Sequence, residues 1–165
     1  MTPSWSRNVL HGGLALLAAF LVHAALRWLA APYLIALDAY AVAVIAFAAI
    51  KGEIAGAVMG AACGLVVDSF SLGVFGLAGI AATVTGYLAG YVARKINVAA
   101  PGRMFLFSGL MGILDFALWI GLTSVFFGRA IPWAGGAALA RPVVTAGGVT
   151  VVTTAYRRIK AHRDA

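Results

Sequence analysis

The chain has 165 residues, of which 63% are hydrophobic and 10% are charged, and its formal net charge is +7. A soluble domain carries about a quarter charged residues, so this composition excludes an ordinary water-soluble fold and predicts an integral membrane protein. The basic residues lie between and after apolar runs. We therefore interpret them as topology signals and not as a nucleic-acid surface.

Breaks at prolines, glycines and short polar runs divide the chain into apolar segments, each near the ~20 residues that a bilayer requires. We predict an all-α fold, with residues 1–165 forming a single membrane domain of six helices. The predicted spans are residues 9–29, 33–50, 53–67, 72–93, 104–127 and 137–156, followed by a short basic tail at residues 157–165. A cleavable signal peptide is the alternative for the first span, since Arg7 precedes an apolar stretch.

The positions of the basic residues predict the orientation. If the N-terminus lies inside, nine of the twelve basic residues fall on the inner side, and only Arg27, Arg129 and Arg141 fall on the outer side. Such a bias is typical of cytoplasmic loops. We expect a multi-pass membrane protein with both termini in the cytoplasm.

Glycines recur at every fourth position from just before the third span into it, at Gly52, Gly56, Gly60 and Gly64. Positions four apart share one face of a helix, so the row predicts a groove where a second backbone approaches closely. The fourth span carries a matching row, at Ala78, Ala82, Gly86 and Gly90. The two rows are predicted to meet in an antiparallel pair. The alternative is that the groove binds the helix of a partner protein.

Ionisable residues inside the membrane are the other candidate site. Arg27, Asp38, Asp68 and Arg141 are predicted to lie in the outer half, where opposite charges allow Arg27 or Arg141 to pair with either aspartate. Such pairs lock helices together, or they line an outward-facing polar cavity or docking surface. A further alternative is that the arginines face lipid and extend toward the membrane surface. Asp115, near the middle of the fifth span, has no basic residue at its depth. We expect it to be protonated or hydrogen-bonded to threonines, with Thr83, Thr85, Thr145 and Thr150 as possible donors.

Catalytic motifs are missing from the sequence. It contains no His-Glu-x-x-His, Gly-x-Ser-x-Gly or Walker pattern, and its three histidines are far apart. We predict a protein that is not an enzyme and that needs no cofactor or metal. The single cysteine, Cys63, is expected to be a small packing residue.

The segment from Pro32 to Tyr91 resembles the rod shape-determining protein MreD family. The resemblance rests on a glycine-rich helix that ends in Gly-Leu-x-x-Asp, at Gly64, Leu65 and Asp68, followed by a short turn and Leu-Gly at residues 72–73. The run LMGILDF, with Asp115, is similar to the family's acidic fifth helix. The family's fold in turn resembles the S component of energy-coupling-factor vitamin transporters.

The resemblance implies a non-enzymatic scaffold of the bacterial cell-elongation machinery, located in the inner membrane. Its partner would be an MreC-like bitopic membrane protein. Together they would be tied to the filament MreB and to RodA with a class B penicillin-binding protein, which build lateral peptidoglycan. The alternative is a vitamin-capture subunit, which predicts an outward cavity and a docking patch such as Ala15 and Ala19. An ion carrier working through Asp38, Asp68 and Asp115 is a third possibility.

Overall fold

The computed structural model describes residues 4–29, 38–70, 75–96, 98, 100–127 and 135–163, with side chains from residue 9 onward except at 27, 29, 135–139 and 163. All regular structure in this part of the chain is helical, as predicted. The six helices are α1 (Ser4–Leu29), α2 (Ala39–Lys51), α3 (Glu53–Phe70), α4 (Leu77–Lys95), α5 (Pro101–Phe127) and α6 (Gly135–Arg163).

Three of the helices are long and apolar enough to cross a membrane, namely α1 over Val9–Leu26, α3 over its whole length and α5 over its whole length. Their outer surfaces expose large apolar side chains, including Leu10 and Leu14 on α1 and Leu106 and Leu110 on α5. Exposed apolar surfaces of this extent are typical of contact with lipid. The helices therefore indicate a membrane protein, as the composition predicts.

The shortest helix is α2, not α3, which corrects the predicted lengths. The predicted span 33–50 is not one helix, because Asp38 has an extended backbone (φ −90°, ψ 92°) and α2 begins at Ala39. Its 13 residues span roughly 20 Å, whereas the 18 residues of α3 span roughly 27 Å. The reason for the break is local: the Asp38 carboxylate accepts backbone hydrogen bonds and so starts the helix.

The core lies around α2, which packs against each of the other five helices. One apolar cluster joins α2 to α4, α5 and α6 through side chains such as Ile45, Met104 and Val149. The other joins α2 to α1 and α3 through Val44, Met59 and Cys63. Cys63 is a free, buried cysteine within this second cluster.

The remaining helix ends also differ from the prediction. The predicted fourth span starts at residue 72, but Phe75 and Gly76 form a turn and α4 begins at Leu77. At the C-terminus, α6 continues through Arg157 to Arg163, so most of the predicted basic tail prolongs the last helix.

Candidate functional site

The glycine row of α3 faces α4 at backbone contact. A methyl group added at Gly60 would collide with the carbonyl of Ala82, and one at Gly56 with the carbonyl of Gly86. One at Gly64 would lie 2.6 Å from the carbonyl oxygen of Ala78. The structure thus brings the two small-residue rows together in an antiparallel pair. This surface is occupied by the chain's own α4, which leaves no room for a partner helix there.

Gly52, the first glycine of its row, meets Gly90, the last residue of the other row, at the junction between α2 and α3. Gly52 is not part of α3 but caps the C-terminus of α2, with a φ of +95° that favours glycine. Its backbone lies against Gly90, where an added Cβ would clash. Beside it, Arg94 of α4 forms an ion pair with Glu53 at 2.9 Å, a contact that the sequence analysis did not predict.

Asp68 caps the N-terminus of α4 from the end of α3. The N-cap position itself is Gly76, which has no side chain to accept hydrogen bonds. The Asp68 carboxylate, 5% exposed, instead accepts from the backbone N–H of Gly76 at 3.1 Å, Ala78 at 3.1 Å and Gly79 at 2.9 Å. Amides at a helix N-terminus favour a negative charge. The Gly-Leu-x-x-Asp motif therefore joins two helices, and Gly64, one turn earlier, allows α4 to come close enough.

Asp38 makes one of the predicted ion pairs. Its Oδ1 accepts from the N–H of Tyr40 at 3.0 Å and of Ala41 at 3.1 Å, while its Oδ2 pairs with the Arg141 guanidinium of α6. The guanidinium also lies 5.6 Å from the ring centroid of Phe116 on α5. Arg141 thus links the start of α2 to α5 and α6. The other predicted cation is Arg27, whose side chain does not belong to the described part of the structure. The whole of Arg129 also lies outside the described residues.

Asp115 of α5 faces α4, where the Thr85 hydroxyl lies close enough to interact with it but makes no hydrogen bond of standard geometry. Two of the other predicted donors are used elsewhere. Thr83 donates to the carbonyl of Gly79, and Thr150 donates to the carbonyl of Ala146. They turn to their own helices because a threonine hydroxyl reaches the carbonyl four residues earlier without any tertiary contact.

These acidic and basic side chains converge on one cavity of about 190 Å³, which we call the polar cavity. It lies where α2 and α4 begin and α3 ends. Its lining includes Asp38, Asp68, Asp115 and Arg141, together with the buried Tyr40, Cys63 and Thr85 and the indole of Trp119. Tyr40 and Trp119 were not predicted to belong to a site. Their only signal in the sequence was position, one helical turn or less from Asp38 and Asp115.

A second, larger cavity of about 400 Å³ runs between α1, α2 and α6, and we call it the alanine groove. It is almost wholly apolar, and it extends along α2 from Ala39 to Lys51. Most of its wall consists of small residues: Ala15, Ala18, Ala19, Ala39, Ala43, Ala46 and Gly148. The sequence analysis noted Ala15 and Ala19 only as a possible docking patch. The structure turns both toward α2, and Ala19 is buried there.

Comparisons of the chain with protein-family models, curated proteins and solved structures gave no significant match.

Proposed function

We propose that this chain is a non-enzymatic membrane scaffold of the bacterial cell-elongation machinery, similar to MreD, and that it binds the single transmembrane helix of an MreC-like partner. It would lie in the cytoplasmic membrane with six spans and both termini in the cytoplasm. The charge bias of the loops supports this orientation, since nine of the twelve basic residues fall on one side. MreB, RodA and a class B penicillin-binding protein would be reached through the partner.

The observation that carries the proposal is the alanine groove. A transmembrane helix packs closely only against small residues, because lipid provides no hydrophobic drive for association. The glycine rows are buried in the α3–α4 contact, whereas the alanine groove is a cavity lined by small residues that the protein's own helices leave open. Its wall on α2 is 13 residues long, or roughly 20 Å, which is most of a bilayer core.

The vitamin-capture alternative is supported by the polar cavity, which holds the aromatic and hydrogen-bonding groups that such a site needs. Its second requirement is an exposed patch that docks a transporter. Ala15 and Ala19, the predicted patch, line the alanine groove, so both proposals place a partner on the same surface and the identity of the bound partner distinguishes them.

The proposal can be tested with substitutions that fill the alanine groove with larger side chains. Ala18 and Ala43 line it without being fully buried, so Ala18→Leu and Ala43→Leu should occupy the partner's volume while the fold remains intact. Ala117→Leu on the exposed face of α5 is the matched control. We expect the groove variants to lose co-purification of the bitopic partner from native membranes and to fail to maintain rod shape, whereas the control retains both.

Normal co-purification and rod shape in both groove variants would contradict the proposal. Recovery of a transporter ATPase in place of a bitopic protein would favour the vitamin-capture alternative.

A further inference from the structure

The directions of the three helices around the alanine groove decide which residues share an end of it. The ring centroid of His23 on α1 lies 5.1 Å from that of Tyr40, at the start of α2. A Cβ added at Gly12 would lie 3.5 Å from the ring of Phe47, near the end of α2. The two helices are therefore antiparallel, and the N-terminal part of α1 lies level with the C-terminal end of α2.

The last helix, α6, runs in the same direction as α2. Its Arg141 pairs with Asp38 just before α2 begins, and a Cβ added at Gly148 would contact the side chain of Val42, one turn later on α2. Tyr156 follows Gly148 by roughly two turns. It therefore lies level with the C-terminal end of α2.

The alanine groove consequently has one polar end and one apolar end. The polar end is lined by one residue from each helix, namely His11, Lys51 and Tyr156, whereas Val22 and Ala39 line the opposite end. Between the two ends the wall is almost wholly apolar. This distribution matches a lipid molecule, in which a hydrocarbon chain carries its polar group at one end only.

The charge at the polar end favours an anionic headgroup. Lys51 makes no ion pair with any described residue. Glu53, two residues later, pairs instead with Arg94 of α4. Lys51 also belongs to the nine basic residues on the predicted cytoplasmic side. Basic residues at this membrane surface attract anionic lipids, and a lysine ammonium binds phosphate as a point charge.

The size of the alanine groove fits one acyl chain. A cavity of about 150 Å³ holds benzene, so about 400 Å³ corresponds to roughly 16 carbon atoms, a common acyl-chain length. The wall on α2 has 13 residues and is roughly 20 Å long, which slightly exceeds half of the ~30 Å hydrocarbon core. A lipid of a single leaflet therefore matches the groove in both volume and length.

We propose that the alanine groove, in the chain without its partner, binds one acyl chain of an anionic phospholipid from the cytoplasmic leaflet, with the headgroup phosphate beside Lys51. This site goes beyond the scaffold function and does not depend on it. One consequence does rest on the proposed function: an MreC-like helix that packs into the groove must displace the lipid.

The test uses the full chain, without a partner, in phosphatidylcholine nanodiscs that contain a small fraction of a photoreactive lipid. The probe is phosphatidylglycerol with a diazirine near the end of one acyl chain, and phosphatidylcholine with the same chain is the comparison probe. We expect crosslinks, mapped by mass spectrometry, at the apolar end of the groove, near Val22 and Ala39. The phosphatidylglycerol probe should label this end about fivefold more strongly, because one basic residue at the surface contributes roughly that factor.

Two variants separate the headgroup contact from the acyl-chain contact. Lys51→Gln should make the two probes label the groove equally, whereas Lys95→Gln, which changes an exposed lysine at the end of α4, should preserve the preference. Ala43→Leu should abolish groove labelling by both probes, and Ala117→Leu on the exposed face of α5 should leave it unchanged. If Ala43→Leu does not fold, Ala18→Leu at an exposed position of α1 replaces it.

Crosslinks spread evenly over the lipid-facing helices, or equal labelling of the groove by both probes in the unmodified chain, would overturn the proposal. A second copy of the chain that covers the groove would leave it unlabelled and would overturn the proposal as well. The two proposals fail separately. Normal partner binding by the groove variants contradicts the scaffold function but does not change the labelling of the partner-free chain, and an unlabelled groove leaves partner binding to be decided by its own experiment.

Discussion

The α3–α4 pair and the α1 helix are both rich in small residues, yet they pack in opposite ways. A third of the residues of α3 (33%) are buried inside the protein, compared with 6% of the residues in the apolar window of α1. A Cβ at Gly60 on α3 would strike the backbone of Ala82, whereas one at Gly13 on α1 would meet no atom within 4 Å. Small residues permit close approach, but backbones touch only where both helices lack bulk at the same level.

The alanine groove follows from the same difference. Between α1, α2 and α6, where alanines make up much of the wall, a cavity of about 400 Å³ remains. Glycines on both α3 and α4 leave no such space. The α3–α4 pair is therefore closed, whereas the space between α1, α2 and α6 is open.

The largest expected change in stability comes from a substitution that separates α3 from α4. Gly60→Leu places a side chain where the Ala82 carbonyl and the Thr83 backbone lie, so the helices must separate. We expect a loss of about 3 kcal/mol or more in unfolding free energy, measured by reversible unfolding in mixed micelles. Gly13→Leu on α1 is the matched control and should change stability little. Similar stabilities for the two variants would mean that α3 and α4 do not touch as described.

A smaller loss of stability is expected when the Asp68 cap, which connects α3 to α4, is weakened. Asp68→Asn leaves one acceptor oxygen where the structure uses two, and it removes the negative charge at the start of α4. The unfolding free energy should fall by about 1–2 kcal/mol. Ser69→Ala is the control, because the exposed Ser69 hydroxyl donates only to Leu65 of its own helix. Equal effects from the two variants would argue against capping.

The ion pair between Asp38 and Arg141, which line the polar cavity, should contribute less to the unfolding free energy than the Asp68 cap. Asparagine caps helices about as well as aspartate, so Asp38→Asn removes the charge and retains the cap of α2. A double-mutant cycle of Asp38→Asn with Arg141→Gln should give a coupling free energy of about 0.5–1 kcal/mol, because the guanidinium is 31% exposed. Strictly additive single effects would show that the pair contributes nothing.

The smallest expected loss of stability comes from the ion pair between Arg94 and Glu53, where α3 begins and α4 ends. Arg94 pairs with Glu53, but its side chain is 59% exposed, so solvent screens the interaction. Arg94→Gln should cost no more than about 0.5 kcal/mol of unfolding free energy. Arg103→Gln on α5, which makes no ion pair with a described residue, provides the baseline. A loss as large as that of Asp68→Asn would mean that charge, and not backbone closeness, holds the pair.

Much of the α3–α4 contact was predictable because it depends on local periodicity. Rows of small residues at a step of four define a face, and a short connection between two helices makes them antiparallel neighbours. The start of α2 was predicted wrongly, since an apolar run from residue 33 gives no sign that Asp38 caps a helix. Asp38 was treated as an intramembrane charge inside a span, whereas its carboxylate caps the start of α2.

The polar cavity was predicted only in part. The aspartates and Arg141 were recognised as unusual in an apolar chain, and the pairing of Arg141 with one of two aspartates was left open. The choice of Asp38 depends on Asp68 being occupied by the amides of α4, which no sequence pattern reveals. The convergence of Tyr40, Thr85 and Trp119 depends on the rotation of three helices about their axes.

By itself, the sequence determined that lipid surrounds this protein, that its structure is helical and that α3 offers a backbone to a neighbour, because composition and period are properties of single segments. The tertiary structure alone decided which helix takes that backbone, which charges meet and where space remains. Those outcomes depend on distances between segments far apart in the chain, and packing of all the helices at once fixes them.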